Sequence, residues 1–332
     1  MTKRQAAFLV LKFAFAATVL AWLFHKVNVR RVLETVASAG RLEIAGGVLL
    51  CLGMVVLAGW RWHRWLAIFD IDVPAGPLIC IAQIGQFFVM FLPGPLGDDL
   101  TRMLYISRLA PGRVGEACTT VLLDRCLGFA SVLVLAVGCI PWQWHVLSSA
   151  SETRWLALII LSAGAATSLF GAVFFWAGHP THLWFEKRLR ALPAHSLRDE
   201  AARIWGLLCA NKRSIVQIGC AAVATQSLSC MVFYLAGRSV GVHVSLLVWL
   251  PFIPIVIASN ALPITYAGLG VREYLLVLFL GVTAQVEGER ALAASLIVFS
   301  IMLIVCLLGG MVYIFYRPKY LGIVGKRRDP ID

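Results

Sequence analysis

Apolar runs long enough to cross a membrane recur along the whole chain. A helix that spans the hydrocarbon core of a bilayer needs about 20 mostly apolar residues. Only 14% of the 332 residues are charged, against about 25% in an ordinary soluble domain. The pattern predicts an all-α polytopic membrane protein and excludes a water-soluble fold. Six runs are predicted to be full spans: Ala6–Leu23, Ile44–Trp60, Glu116–Val137, Trp155–Trp176, Ser214–Leu235 and Ala291–Tyr316.

The charge balance and the cysteine spacing further limit the kinds of protein that the chain can be. The chain has 29 basic and 17 acidic residues, a net charge of +12. The basic residues are scattered between apolar runs and are not gathered on one soluble face, so we interpret them as loop charges and expect no nucleic-acid partner. The nine cysteines include no Cys-x-x-Cys pair, which is not the pattern of a zinc site or a disulfide framework. No cofactor and no metal are expected.

Two further apolar stretches are interrupted by proline and glycine. Leu78–Leu92 leads into Pro93-Gly94-Pro95-Leu96-Gly97, and Leu246–Leu262 leads into Pro263 and then Gly268-Leu269-Gly270. Non-helical backbone at membrane depth is tolerated only where it is buried in protein or lines a wet cavity. We interpret each stretch as a broken re-entrant hairpin that enters and leaves the membrane on the same side.

Lysine and arginine set the orientation, because they concentrate in cytoplasmic loops. If both interrupted stretches turn back, both termini lie in the cytoplasm and most basic clusters share that side. The whole chain, 1–332, is then a single transmembrane domain with six full spans and an inverted repeat, whose halves lie at about 44–138 and 214–316. The basic clusters assigned to the cytoplasm are Lys3/Arg4, Arg61/Arg64, Arg102/Arg108/Arg113, Lys187 to Arg213 and Arg317 to Arg328.

Two segments outside the repeat halves are interpreted separately. The N-terminal apolar run is longer than the usual 7–15 residues of a signal-peptide core, so we expect an uncleaved first helix. Residues 179–213 are predicted to be a cytoplasmic linker with an amphipathic segment. A helix or hairpin on the inner leaflet and an ordinary connecting loop remain alternatives for that segment.

A few charged residues are not explained by loop position. A charge at the centre of a span costs about 2.5–3.5 kcal/mol, so such residues are expected to have a partner or a function. After each interruption the sequence gives Leu-Gly, an acidic residue and an Arg that opens a helix. The candidate substrate-binding residues are Asp98, Asp99, Arg102, Asp124, Arg125, Arg272 and Glu273. The candidates for shaping the hairpins are Pro93, Gly94, Gly97, Pro263, Gly268 and Gly270.

These residues have two interpretations. Corresponding Gly/Pro-interrupted segments in inverted halves indicate a transport site, and helix N-termini in such breaks favour anions. Alternatively, proline and glycine only shape turns while the charges form a structural ion network. Asp124 and Arg125 point about 100° apart on one helix, so each needs its own partner. Arg102, Arg272 and Glu273 are the plausible ones.

The same segments resemble the flippase-like transmembrane domain of lysylphosphatidylglycerol synthases. The resemblance rests on the Pro-Gly…Gly-Asp…Arg102 segment, on Leu122-Leu123-Asp124-Arg125-Cys-Leu-Gly128 and on Pro263…Gly268-Leu-Gly270-Val-Arg272-Glu273. It extends from about residue 5 to residue 320. Asp124 stands where the family pattern favours Glu, and Ala267 where a second Gly is common. We see no aminoacyl-transferase domain after Lys319, so we expect no synthesis of lysyl-lipid.

The resemblance implies a lipid translocase of the bacterial inner membrane and not an enzyme. It would move an anionic or phosphate-bearing lipid between leaflets by alternating access, with the headgroup held by intramembrane Arg residues and carboxylates. The alternative is an intramembrane enzyme or accessory subunit acting on polyprenyl-phosphate-linked sugars or other lipids, including hopanoids. In that case Asp98 and Asp99 are candidate Mg²⁺ ligands. The expected partners are the lipid substrate and, as a further candidate, a lipid-modifying enzyme.

Overall fold

The computed structural model describes residues 29–90, 96–144, 151–176, 195–261 and 270–316. These ranges are built from helices and connecting turns, with no β-strand among them. The helices are α1 Val29–Ala37, α2 Arg41–Ile68, α3 Ala75–Val89, α4 Leu96–Leu109, α5 Val114–Cys139, α6 Ser151–Trp176, α7 His195–Ala210, α8 Lys212–Ser239, α9 Leu246–Trp249, α10 Ile253–Ala261, α11 Val271–Ala284 and α12 Gly288–Phe315.

Five of the six predicted spans are confirmed as helices long and apolar enough to cross a membrane. They are α2, α5, residues Ala157–Phe175 of α6, α8 and α12. The sixth, Ala6–Leu23, lies outside the described residues. Large apolar side chains such as Leu49, Ile159 and Met311 are exposed on these helices, as is normal where lipid tails are the solvent. The chain is therefore a multi-pass membrane protein.

Helices α2 and α8 pack against each other in antiparallel orientation. The Gly40 backbone N–H, just before α2, donates to the Ser239 carbonyl at the end of α8, with an N–O distance of 2.8 Å. At the other end of the pair, Arg64 Nη2 donates to Gln217 Oε1 at 2.6 Å. We call the end with Arg64 and Gln217 the A end of the bundle, and the end with Gly40 and Ser239 the B end.

Helices α3 and α4 fold back on each other. A Cβ at Gly97, near the start of α4, would overlap with the backbone of Phe88 in the last turn of α3. A Cβ at Gly85, one turn earlier, would overlap with the Asp98 carboxylate. Only glycine lets the two helices approach this closely, so both positions favour the hairpin predicted from the sequence.

The chain enters and leaves this hairpin at the A end. Arg113, which follows α4, donates to the carbonyl oxygens of Phe69 (2.6 Å) and Asp70 (2.9 Å), which follow α2. Helix α3 has 15 residues and α4 has 14, so each is about 21–23 Å long. Both are shorter than the roughly 30 Å hydrocarbon core.

A second pair of short helices, α10 and α11, packs together near the B end. Phe252, just before α10, stacks on Phe279 in α11 with ring centroids 5.3 Å apart, so these two helices also pack together. The chain reaches this pair from the end of α8. The chain leaves this helix pair into α12. The start of α12 and the end of α1 line one groove, which includes Glu287, Arg290 and Ser38.

The packing of α2–α5 is matched by that of α8–α12. In the first set each helix contacts the next one, from α2 through α3 and α4 to α5. In the second set the same chain of contacts runs from α8 through α10 and α11 to α12. Between the two sets, α3 packs on α12 as α10 packs on α5, and α2 packs on α12 as α8 packs on α5. Helix α6 lies against α5, and α1 lies against α12.

The predicted amphipathic segment contains a described helix, α7, that packs on the A end. Trp205 meets Phe174 of α6 edge-to-face with ring centroids 5.3 Å apart. Arg203 bonds Glu116 at the start of α5 and Glu200 on its own helix. The hydrogen bond from Arg203 lowers the pKa of the Glu200 carboxyl. Residues 179–194 of the predicted linker lie outside the described residues.

Candidate functional site

A first charged cluster lies where α2, α4 and α5 meet. It contains three arginines and three aspartates, so its formal charge is zero. Five of the six were predicted as site residues from the sequence. The members are Arg61 on α2, Asp98, Asp99 and Arg102 on α4, and Asp124 and Arg125 on α5.

Asp124 is the centre of this cluster. Its Oδ1 accepts from Arg61 Nε at 3.0 Å, and its Oδ2 accepts from Arg61 Nη2 at 2.9 Å. Arg102 Nη1 reaches Oδ2 as well, at 3.3 Å. All three residues are buried. A forked Arg–carboxylate pair is both strong and directional, so Asp124 is held in one position by Arg61.

Arg61 was not among the predicted site residues, because the sequence assigned it with Arg64 only to a basic cluster between apolar runs. Helix α2 continues past Trp60 to Ile68, and this extension places Arg61 in the buried contact with α5. Buried residues at Trp62 and Trp65 continue the apolar face of the helix, and Arg61 lies one turn from Trp65.

Arg102 is held by its own helix and by an aromatic ring. Its Nε donates to Asp98 Oδ1 at 2.9 Å, across one helical turn. Its guanidinium carbon lies 5.6 Å from the centroid of the Trp62 ring, within the range of a cation–π interaction. The Trp62 indole N–H donates to Thr120 Oγ1 on α5 at 3.1 Å. The orientation of Arg102 therefore depends on three helices.

Arg125 and Asp99 form the accessible rim of the first charged cluster. Arg125 Nη2 lies 2.6 Å from Asp99 Oδ1, and the two side chains are 39% and 18% exposed. Asp124, the neighbour of Arg125, points inward. The two adjacent charges on α5 therefore have separate partners, as helix geometry requires. A ligand entering from outside would meet the rim pair first.

A second charged cluster lies between α11 and α12. Arg272 Nη2 is 2.6 Å from Glu273 Oε1, and Ser295 Oγ bonds both side chains, at 3.2 Å to Arg272 Nε and 3.0 Å to Glu273 Oε1. The Gly270 N–H donates to Glu273 Oε2 at 2.6 Å. Gly270 has φ of +90°, a conformation that favours glycine. Arg272 and Glu273 are 1% and 0% exposed.

The seven predicted site residues thus fall into two clusters. Arg272 and Glu273 were expected as plausible partners of Asp124 and Arg125, but they pair with each other. Asp124 is paired with Arg61 and Arg102, and Arg125 with Asp99. Whether any of these residues binds a substrate stays a prediction.

The residues predicted to shape the hairpins are only partly described. Gly97 makes the close helix contact of the first hairpin, and Gly270 begins α11. The remaining four are outside the described ranges: Pro93, Gly94, Pro263 and Gly268.

The Asp98–Asp99 pair is not arranged as a shared metal site. Asp98 accepts from Arg102 and Asp99 pairs with Arg125, so each carboxylate is already neutralised by a guanidinium. Across the described parts of the chain, no group of three or more His, Cys, Asp or Glu side chains is placed to hold a metal ion.

Comparison with known proteins identifies the family. No curated protein matches the chain. The sequence profile described as lysylphosphatidylglycerol synthase TM region matches residues 9–310. This range contains both interrupted stretches and both charged clusters. The chain belongs to the family of the lysylphosphatidylglycerol synthase transmembrane region.

Proposed function

We propose that the protein is a lipid translocase of the bacterial inner membrane and has no enzymatic activity. It moves an anionic or phosphate-bearing lipid between leaflets. The observation that carries this proposal is the first charged cluster. Arg61 lies seven residues from the end of α2 and Asp124 ten residues from the start of α5, about 10–15 Å from the A end. Charged groups at such a depth are costly even when paired, and in membrane proteins they usually mark a functional site.

The matched helix packing supports an inverted repeat. Helices α2 and α8, which open the two sets, are antiparallel, and the two short-helix pairs open at opposite ends of the bundle. In our proposal these pairs are re-entrant hairpins, and Ala6–Leu23 is the sixth span. Rocking of one half against the other then gives alternating access.

Basic residues at the A end support a cytoplasmic assignment for that end, and both termini would share it. The described ones include Arg64, Arg108, Arg113, Arg203, Lys212 and Arg213. In this orientation the first charged cluster is reached from the inner leaflet. The second charged cluster, buried in this structure, becomes accessible in the opposite state.

Arg102 and Arg125 bind the headgroup phosphate in this proposal. Guanidinium groups match phosphate geometry with paired hydrogen bonds. Asp98 and Asp99 neutralise these arginines when the site is empty, and Arg61 keeps Asp124 in place. The chain contains no Walker sequence, so transport would be downhill or driven by an ion gradient or the membrane potential.

Reconstitution tests the proposal. Purified protein in vesicles with a fluorescent phosphatidylglycerol is treated with an impermeant quencher, and the inward-facing fraction that becomes accessible is measured. We expect movement with the wild type and at least a tenfold slower rate with Arg125→Ala. Arg154→Ala, which removes an exposed arginine on α6, is the matched control and is expected to behave as wild type. Movement at the wild-type rate with Arg125→Ala would contradict the headgroup site. Metal-dependent turnover of a polyprenyl-phosphate substrate would favour the enzyme alternative.

A further inference from the structure

The first charged cluster is neutral before any ligand enters. Arginine stays protonated in proteins, so Arg61, Arg102 and Arg125 contribute three positive charges. Asp98, Asp99 and Asp124 contribute three negative charges, and each has an arginine partner. A phosphate headgroup with one negative charge would leave the occupied cluster with an uncompensated charge. Such a charge in a low-dielectric site is removed most readily by a change in protonation.

We propose that binding of an anionic headgroup is coupled to uptake of one proton by Asp98. This inference rests on the proposed headgroup site. The carboxylate of Asp98 becomes a carboxylic acid, while the phosphate takes its place as counterion of Arg102. The occupied cluster then carries no net charge, like the empty one. A proton gradient across the membrane would therefore bias the direction of transport.

The contacts single out Asp98 among the three aspartates. Asp124 keeps both hydrogen bonds from Arg61 when Arg102 turns toward a ligand. Asp99 lies at the rim, where water can solvate its charge. Asp98 is 13% exposed and pairs with Arg102, which at 5% exposed is the more buried of the two arginines that the phosphate engages. Both Asp98 and Asp99 lie in the first turn of α4, so the helix dipole does not distinguish them.

The surroundings of Asp98 contain few other groups that titrate. Helix α3 presents Gly85 to the Asp98 carboxylate, and its only ionisable residue is Cys80. On its own helix the charged neighbours of Asp98 are Asp99 and Arg102. Helix α5 contributes Asp124 and Arg125, and α2 contributes Arg61 through its pair with Asp124. Because the arginines stay protonated, a carboxylate is the proton acceptor within the cluster.

Calorimetry on the full-length protein in detergent measures this coupling. Dihexanoyl phosphatidylglycerol is titrated at one pH in two buffers with different ionisation enthalpies, which gives the number of protons taken up per bound lipid. We expect about one for the wild type. Affinity is then expected to weaken up to about tenfold per unit rise in pH, once the pH exceeds the pKa of Asp98 in the empty site. Asp98→Asn should bind with proton uptake near zero, whereas Glu200→Gln, which removes a surface carboxylate outside the cluster, should keep the wild-type value.

Dihexanoyl phosphatidylcholine, whose headgroup is neutral overall, is the matched probe and should bind with no proton uptake or not at all. Phosphatidylglycerol binding with no proton uptake in the wild type would overturn the coupling and leave the headgroup site intact. Uptake of one proton by Asp98→Asn would overturn the assignment to Asp98. No binding of phosphatidylglycerol at any pH would remove both the headgroup site and the inference that rests on it.

Discussion

The two charged clusters have similar chemistry but different access. The first joins α2, α4 and α5 through six side chains and has a rim that is 39% exposed at Arg125. The second is built around one Arg–Glu pair on α11, with Ser295 from α12, and its charged side chains are buried. The comparison shows that a charged pair beside an interrupted stretch can be closed to solvent in this conformation. Exposure distinguishes the cluster that is ready to meet a ligand in this conformation.

The largest effect is expected from removal of Arg61. Arg61→Ala leaves Asp124 buried with only the longer contact from Arg102. Breaking a buried ion pair on one side typically costs about 3–5 kcal/mol. Thermal unfolding in detergent should show this loss, and Arg61→Ala/Asp124→Ala should recover part of it, because the uncompensated charge is gone. A double variant no more stable than the single one would contradict the pairing.

A paired substitution compares the clusters directly. Arg272→Ala leaves Glu273 charged and buried, so we expect a loss of roughly 3 kcal/mol in stability. Arg125→Ala removes a partly exposed partner and should cost less than about 1 kcal/mol in stability, although transport should be at least tenfold slower. Unfolding midpoints and transport rates of the two variants are measured side by side. Equal destabilisation of both would show that exposure does not distinguish the clusters.

The close helix contact of the first cluster is tested at Gly85. Gly85→Ala introduces a methyl group that would overlap with the Asp98 carboxylate, and such overpacking typically costs about 1–3 kcal/mol. Gly76→Ala on the same helix is the control, since a Cβ there meets nothing within 4 Å. Unfolding of both variants in detergent is the measurement. If Gly85→Ala is as stable as Gly76→Ala, Asp98 does not depend on this contact.

The smallest effect is expected at the surface pair of α7. Glu200 pairs with Arg203 in a partly exposed position, and such pairs contribute less than about 1 kcal/mol. Because the pKa of Glu200 is lowered from 4.5, its contribution exists above that pH and disappears as the pH falls through the lowered pKa. Glu200→Gln should therefore unfold close to wild type at pH 7, and the remaining difference should disappear as the pH falls through the lowered pKa. A large loss at pH 7 would assign α7 a structural role like that of the buried clusters.

Much of the fold could be predicted because apolar length and helix breaks are local properties. The five confirmed spans were predicted from apolar runs alone, and Gly97 was predicted as a residue that shapes the first hairpin. The proximity of Asp98 and Arg102 follows from their spacing by one helical turn. The role of Arg61 was missed because it follows the apolar run, and only the packing of α2 on α5 shows that it is buried. The pairing of Arg272 with Glu273 also depends on tertiary contacts, since Ser295 lies on another helix.

The central claim is that the first charged cluster binds a lipid headgroup. Its most direct test is an experimental structure of the protein in lipid nanodiscs containing phosphatidylglycerol. The account predicts density for a phosphate within hydrogen-bonding distance of Arg102 and Arg125, with the Arg61–Asp124 pair unchanged. A lipid phosphate bound elsewhere, with the pairs Arg102–Asp98 and Arg125–Asp99 intact, would contradict it.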